Sequence, residues 1–292
     1  DWISGFPIGS GRIAAMIRSG ERCDVMTLNH EWLWRGDTDV PREAYHSAEF
    51  LPMVRKLLNE GDNYRATGIA GILFGGYGSG SGIRNNLDGY QYAGKLKFEY
   101  SEECRFVKRE LNIENAIAYA EREVHGQKRF LEAFCDCVHD VLVTQWYAER
   151  PFSGKLTYFK DITQSEIFSY EIENNRLIYR GKFDKGTSFI VRVQFITDGK
   201  VTICDKGWSI ENATYIKTFC NVGCSASSIG QEKEIEKYKV DLNDYNVIQQ
   251  AHSNRFAAIM KRVDFQIGEH AKNEEFLEDR MAAVREGKKD SQ

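Results

Sequence analysis

The densest set of chemistry-bearing side chains in the sequence is the eight-residue run Asn29-His30-Glu31-Trp32-Leu33-Trp34-Arg35-Gly36. It brings an imidazole, a carboxylate, a guanidinium, an amide and two indoles close together. Carbohydrate sites use this mixture, with aromatic faces on the C–H patches of the sugar and Asn, Arg and Glu on its hydroxyls. The other reading is that both tryptophans fill a core while the charges sit on the surface. Local sequence leaves the two open.

The remaining motifs favour architecture over chemistry. Gly75-Gly76-Tyr77-Gly78-Ser79-Gly80-Ser81-Gly82 lacks Gly-Lys-Ser/Thr and follows a helical pattern, so it is a solvated loop, a lid or an interface element and not a phosphate loop. Gly9-Ser10-Gly11-Arg12 reads as a tight turn. Cys135-Asp136-Cys137 has strand spacing, which would point both thiols the same way, but a metal needs two further ligands that no spacing supplies. Inert buried thiols are expected, with no metal and no cofactor. His252 falls on an apolar helix face and reads as a satisfied buried histidine; His125 lies in a turn and His139 at a strand start. The 43 carboxylates could supply an acid/base pair, but no spacing singles one out. Unaided, the residues define no reaction.

Composition narrows the classes. Among 292 residues, Lys and Arg total 39 against 43 Asp and Glu, a net charge of −4, which leaves no basic excess for a nucleic-acid partner. No apolar stretch approaches the roughly 18 to 20 residues of a bilayer span, so no membrane partner is expected. With 17 Phe, 14 Tyr and 5 Trp, the chain has too much aromatic surface to stay unfolded. The first residues, Asp1-Trp2-Ile3-Ser4, show no signal-peptide pattern and start without Met, as if inside a longer product. Seven cysteines in no disulfide-like spacing favour a reducing, cytoplasmic compartment. A secreted or periplasmic location stays open if a signal was removed.

These residues must be positioned by strands. Gly11 to Arg18 and Asp24 to Leu28 read as strands joined by the Ser19-Gly20-Glu21 turn. Residues 44–60 are helical by the spacing of Leu51, Val54, Leu57 and Leu58, with Gly61 as the stop, and a second helix runs from Asn63 to Leu73. From Tyr90 to about Val240 strand dominates. Tyr90, Tyr92, Leu96, Phe98 and Tyr100 share one parity, and runs follow at 105–111, 116–124, 128–134, 140–148, 154–161, 166–172, 175–182, 186–197 and 200–205. The turn signals are His125-Gly126, Asn174-Asn175 and Asp198-Gly199, the last being the strongest two-residue hairpin candidate. Short strands at this spacing without intervening helices predict an antiparallel all-β sandwich. Helix then returns from Asp241 or Asn243 to Arg262, with Ile248, His252, Phe256, Ile259 and Val263 on one face. Residues 271–292 read as a charged tail without a packing signal.

Several segments, in order, resemble a known family. Trp2 and Phe6-Pro7-Ile8-Gly9-Ser10-Gly11-Arg12-Ile13-Ala14-Ala15-Met16 resemble the opening of the amino-terminal domain of family 95 glycoside hydrolases, the α-L-fucosidase family. Thr27-Leu28-Asn29-His30-Glu31-Trp32-Leu33-Trp34-Arg35-Gly36 is similar to its second signature. Pro52 to Leu58 with Gly61, Tyr90-Gln91-Tyr92-Ala93-Gly94-Lys95-Leu96, Lys108-Arg109-Glu110-Leu111, and Glu278-Asp279-Arg280 with Arg285-Glu286-Gly287 resemble later ones.

The resemblance implies a mainly-β fold. A large antiparallel β-sandwich of the galactose-mutarotase-like supersandwich type would span 1–240, with a few short helices. A helical linker over 241–292 would lead to an (α/α)6 catalytic barrel absent from this sequence. It further implies inverting removal of terminal α-L-fucose, with a Glu as general acid and an Asp with Asn partners activating water. Those residues belong to the barrel, so no catalytic residue is expected in this chain. The 29–36 loop would face the barrel, giving Asn29, His30, Glu31, Trp34 and Arg35 substrate-binding or interdomain roles. The implied partners are a fucosylated oligosaccharide and the protein's own C-terminal catalytic domain. His30 and Glu31 stand where acidic residues are commoner, and Gly9-Ser10-Gly11 replaces Gly-Asn-Gly, so an α-L-galactoside or a longer fucosylated glycan are further substrates to consider. The alternatives are a stand-alone carbohydrate-binding module and a structural sandwich capping a neighbouring domain.

Overall fold

Alternation of buried and exposed side chains builds most of this protein. In the computed structural model, which describes residues 5–34, 47–74, 89–161, 166–183, 187–225, 233, 241–242, 244–265 and 276–289, thirteen strands join one antiparallel hydrogen-bonded network. They are β1 (Phe6–Gly9), β2 (Ile13–Ser19), β3 (Cys23–His30), β4 (Gly94–Tyr100), β5 (Arg105–Asn112), β6 (Ile117–Val124), β7 (Gln127–Asp136), β8 (Val141–Phe159), β9 (Glu166–Glu173), β10 (Arg176–Phe183), β11 (Ser188–Thr197), β12 (Lys200–Cys204) and β13 (Gly207–Ser225). Helices α1 (Leu51–Asn59) and α2 (Asn63–Leu73) form a hairpin between β3 and β4, and α3 (Tyr245–Met260) and α4 (Leu277–Arg285) follow the strands.

The network folds into two layers because its longest strands bend together. The first half of β8 pairs with β7 and the second half of β13, whereas its second half pairs with β4 and the first half of β13. One layer therefore runs β5-β6-β7-β8-β13-β11-β10-β9, and the other β1-β2-β3-β4-β8-β13-β12. β1 and β2 lie over β6, β7 and β8, which closes the sandwich. At the crease β8 exposes Glu149, Arg150 and Pro151, and Pro151 has no N–H to lose from a ladder. β13 breaks register between Ile210 and Tyr215, with Asn212 at φ 56°.

Asp198-Gly199 is part of this crease and not a hairpin turn, because β11 and β12 each pair with β13 and not with one another. The Asp198 carboxylate accepts the Thr214 hydroxyl and the N–H groups of Thr214 and Tyr215, at 2.8 and 3.2 Å. Burial pushes its pKa up, but those donors outweigh it and hold the carboxyl below its ordinary value. A Cβ on Gly199 would lie 2.8 Å from both the Ala213 Cβ and the Glu211 carbonyl oxygen, so only glycine fits the fold-over. The other two turn signals do make hairpins: His125-Gly126 joins β6 to β7 with φ of 49° and 76°, and Asn174 turns β9 into β10 with φ 48°.

Other differences have local causes. The runs 140–148 and 154–161 are one 19-residue strand, bent where the Glu-Arg-Pro segment interrupts it. β13 matches none of the strand runs read from sequence, since its second half is buried on both faces and does not alternate. Tyr90 pairs only as an isolated bridge to Trp34, and the ladder starts at Gly94. On α3, Ile248 and His252 are buried, but Ile259 is 58% exposed because only the first turns lie over the sheet, and Val263, 78% exposed, lies beyond the helix end at Met260. The terminal segment contains α4, which an Arg109–Glu278 ion pair of 3.0 Å ties to β5. The Gly-rich loop at 75–82 and Asn243 lie outside the described residues.

The main core lies between the layers and includes Leu96, Phe98, Trp146, Phe195 and Trp208. A smaller cluster of Phe134, Val143 and Phe219 sits on the outer face of one layer, covered by Tyr245 and Ile248 of α3. A polar network crosses the main core. Asp24, fully buried, pairs with the equally buried Arg122 and also accepts from Trp146 Nε1 at 2.9 Å and the Tyr100 hydroxyl at 3.2 Å. Arg122 Nε donates to the Gly20 carbonyl at 2.7 Å.

Asp24→Asn should cost about 3–5 kcal/mol, because it strands a buried guanidinium. The Asp24→Leu/Arg122→Met double variant should lose less than the sum of its single changes, as urea denaturation can show. Burial also lowers the His252 pKa from 6.5, against the backbone hydrogen bonds to Ala116 and Asn115 that raise it. The unfolded chain thus binds this proton more tightly, so stability is full above pH 6.5 and falls as pH drops through the lower folded-state value. His252→Gln should flatten that acid limb in denaturation curves recorded between neutral and mildly acidic pH.

Candidate functional site

The site grows out of the end of β3. Pairing with β2 puts His30 opposite Ile13, and its parity, shared with Asp24, Met26 and Leu28, turns the imidazole inwards until it is fully buried. There it organises the loop that follows. Its Nδ1 accepts the Trp32 N–H at 3.2 Å, while its carbonyl accepts the Leu33 N–H at 3.0 Å and the Tyr90 hydroxyl at 3.1 Å. Leu33, also fully buried, plugs the loop into the core. The polypeptide is thereby fixed, and Trp32 and Trp34 point outwards at 55% and 43% exposure.

Each indole is held. Trp34 Nε1 donates to the Glu31 carbonyl at 3.0 Å, and its ring meets Tyr90 edge to face at 5.2 Å. Trp32 carries the Arg12 guanidinium over its ring at 5.2 Å, and its carbonyl accepts the Thr187 hydroxyl at 3.3 Å. Arg12 leaves the tight turn before β2, where Gly11 has φ 101°. It faces two carboxylates, with Nε 3.4 Å from Glu31 and 3.7 Å from Asp140. Asp140 occupies the β7–β8 turn at φ 47°, accepts the Ser10 hydroxyl at 3.0 Å, and has its carbonyl held by Asn221 Nδ2 at 3.0 Å. Burial raises its pKa above 3.8, partly opposed by Ser10 and Arg12. Cys224 lies within electrostatic reach of Arg12, Asp140 and Glu31, and burial drives its thiol far up. That thiol is no nucleophile.

Of the residues expected here, the structure brings together His30, Glu31 and Trp34. Their roles differ: His30 is an internal anchor, whereas Glu31 and Trp34 reach solvent. Asn29 has the opposite parity on β3 and bonds the Thr27 carbonyl at 3.4 Å, so it faces away from this group. Arg35 lies outside the described residues. Sequence reading missed Ser10, Arg12, Asp140 and Tyr90 as members. Asp140 is 130 residues from Ser10 in the chain, and only the stacking of β1 and β2 on β7 brings them together. The thiols of Cys135 and Cys137 do not point the same way, since β7 ends at Asp136 and leaves Cys137 exposed in the turn while Cys135 is buried. Among the described residues, no three His, Cys, Asp or Glu side chains are placed to hold a metal.

The rim presents two outward indoles and a cation between two carboxylates, with a hydrogen-bonded backbone beneath. Fold and rim together define a two-layer β-sandwich domain of the kind that accompanies carbohydrate chemistry. Residues 1–225 match the family model "Glycosyl hydrolase family 65, N-terminal domain", and the chain belongs to that family. The motifs resembled family 95 and the matching model is numbered 65, but both denote the amino-terminal domain of a glycoside hydrolase. The chain is also 26% identical over 266 residues to "Alpha-L-fucosidase 2" of Arabidopsis thaliana, covering 88% of this chain and 29% of that protein. It therefore spans less than a third of the relative's length. Among solved structures, "Putative kojibiose phosphorylase from human microbiome" superposes with a TM-score of 0.40 at 7% identity, over 86% of this chain and 32% of that one.

The raised pKa of Asp140 has a stability consequence. The folded state binds its proton more tightly than the unfolded chain, so its contribution declines as pH rises from 3.8 through the folded-state value. Asp140→Asn keeps the Ser10 contact and tolerates the left-handed backbone, and should leave stability at neutral pH unchanged or raised. Asp140→Ala loses both and should cost about 1–2 kcal/mol. Thermal denaturation of the two variants side by side distinguishes them.

Proposed function

We propose that this chain is the non-catalytic amino-terminal domain of an α-L-fucosidase-like glycoside hydrolase. The complete protein removes terminal α-L-fucose from fucosylated oligosaccharides with inversion. The rim formed by Arg12, Glu31, Trp32 and Trp34 borders the substrate pocket, and α3 and α4 belong to the linker towards an (α/α)6 catalytic domain that supplies the acid and base. The observation that carries this reading is the way buried His30 and Leu33 hold two tryptophans out in solvent. Exposed indoles cost hydrophobic free energy, about 1.5–3 kcal/mol for each large side chain left unburied, and a rigid support for that exposure fits a surface made for a ligand or partner. The 26% identity to a protein named as an α-L-fucosidase supports the choice of sugar.

The test is hydrolysis of an aryl α-L-fucoside by the polypeptide encoded by the whole reading frame that contains this chain. Fucose release with an inverted first-formed anomer is expected, and inactivity on every α-L-fucoside and α-L-galactoside offered would overturn the enzyme reading. Trp34→Ala and Glu31→Gln should each raise KM roughly tenfold, the size of one lost charged hydrogen bond or aromatic contact, while leaving the thermal midpoint within 2 °C or so. Glycan binding by a reading frame that stops after Gln292 would instead establish a stand-alone carbohydrate-binding module.

A further inference from the structure

A second cavity lies away from the rim and shares no residue with it. It holds about 160 Å³ between the β9–β10 edge of one layer and the end of β8 in the other, lined by Tyr158, Phe159, Lys160, Phe168, Tyr170, Leu177, Tyr179 and Lys206. Its walls are mostly rings: Phe168 and Tyr179 stack at 5.8 Å with planes 11° apart, and Tyr158 closes on Tyr179 at 5.5 Å. An apolar cavity of about 150 Å³ suffices to take up benzene.

The polar atoms inside are already engaged. Tyr158 donates to the Ala93 carbonyl, Tyr179 donates to Glu166 at 2.6 Å, and Glu166 is paired with buried Lys160. A pyranose placed here would leave its hydroxyls without partners, at about 1–3 kcal/mol each. The flat faces of an aromatic ring would meet no such cost. The exceptions to this inward pairing are the Tyr170 hydroxyl on the edge strand, which forms no hydrogen bond among the described residues, and Lys206, in the β12–β13 turn, which forms no ion pair among them. Its backbone carbonyl accepts the Tyr158 N–H at 2.9 Å, which fixes the turn against the cavity, and Lys206 is itself exposed where it lines the cavity.

We propose that this cavity binds a monocyclic aromatic carboxylate, its ring among Tyr158, Phe168, Leu177 and Tyr179 and its carboxylate at Lys206. Phe168 and Tyr170, 43% and 42% exposed, form the entrance on the edge strand. The site needs nothing from the rim or from a catalytic domain, so it stands whether or not the fucosidase reading holds. The ligand chemistry could be presented as a free acid or as an ester on a glycan, and the charge at Lys206 selects the free acid.

Calorimetric titration of the protein with benzoate, methyl benzoate and L-fucose tests it, with saturation-transfer NMR reporting contact with the ring protons. Benzoate should bind, methyl benzoate about tenfold more weakly for loss of a charge-assisted contact, and L-fucose should not displace benzoate. Lys206→Gln should bring benzoate down to the level of the ester. Leu177→Trp should fill the cavity and abolish binding. Since that change is buried, Phe168→Ala at the half-exposed entrance is the second variant, and it should weaken benzoate severalfold without unfolding. No binding of benzoate by folded protein, or binding indifferent to both Lys206→Gln and Phe168→Ala, would overturn the site. Equal affinity for acid and ester would overturn the assignment of an anionic ligand.

Discussion

Asp24 and Arg122 are withdrawn from water in the middle of an otherwise apolar core, and the layers around them are arranged to make that tolerable. Moving an ion inside costs several kcal/mol even after relaxation, which is recovered only when the partner and the remaining hydrogen-bonding groups are in place. Asp24 receives Arg122, Trp146 and Tyr100, and Arg122 in turn reaches the Gly20 carbonyl. These groups come from β3, β4, β6, β8 and the β2–β3 turn. The network thus crosses from one layer to the other and allows little change in their separation. Aromatic neighbours can slide over one another at small cost, but a buried ion pair with three directional partners cannot.

This constraint reaches the rim through the parity of β3. Asp24 and His30 are six residues apart on one strand, so both point to the core. A one-residue slip of β3 would turn both outwards, stranding Arg122 and freeing the loop that His30 anchors. The register that satisfies the charge pair is therefore the register that presents Trp32 and Trp34. From the other layer, Asp140 closes the same rim, its left-handed backbone held by Asn221 of β13 and its carboxylate by Ser10 of the turn facing it. The recognition surface is an end product of sheet registration, and no separate loop structure is needed to explain it.

Much of this was legible in the residues because period-two alternation survives wherever one face of a strand is wet. β2, β4 and β10 show it, and so do the hairpins at His125-Gly126 and Asn174, whose residues accept positive φ. The failures share one cause. At the crease β8 and β13 bend together beside the β11–β12 junction, and the signals there serve the bend: Asp198-Gly199 resembles a hairpin turn and Glu149-Arg150-Pro151 a loop, while the second half of β13, packed on both faces, loses its alternation. Of the site, the 30–34 segment could be found by its composition. Arg12 and Asp140 could not be assigned to it, because nothing local in either stretch tells which turn faces which.

The rim and the cavity along the β9–β10 edge differ in chemistry. At the rim, strand ends supply charged and indole groups: Arg12, Glu31, Trp32 and Trp34. Along the β9–β10 edge, the layers part over the end of β8, and the gap is walled by rings of which Tyr158 and Tyr179 turn their hydroxyls to internal acceptors. Among the described residues β9 pairs with β10 alone and so forms the open edge of its layer, and the cavity at Lys206 lies along that edge. Its aromatic lining keeps that opening from being an exposed edge of core.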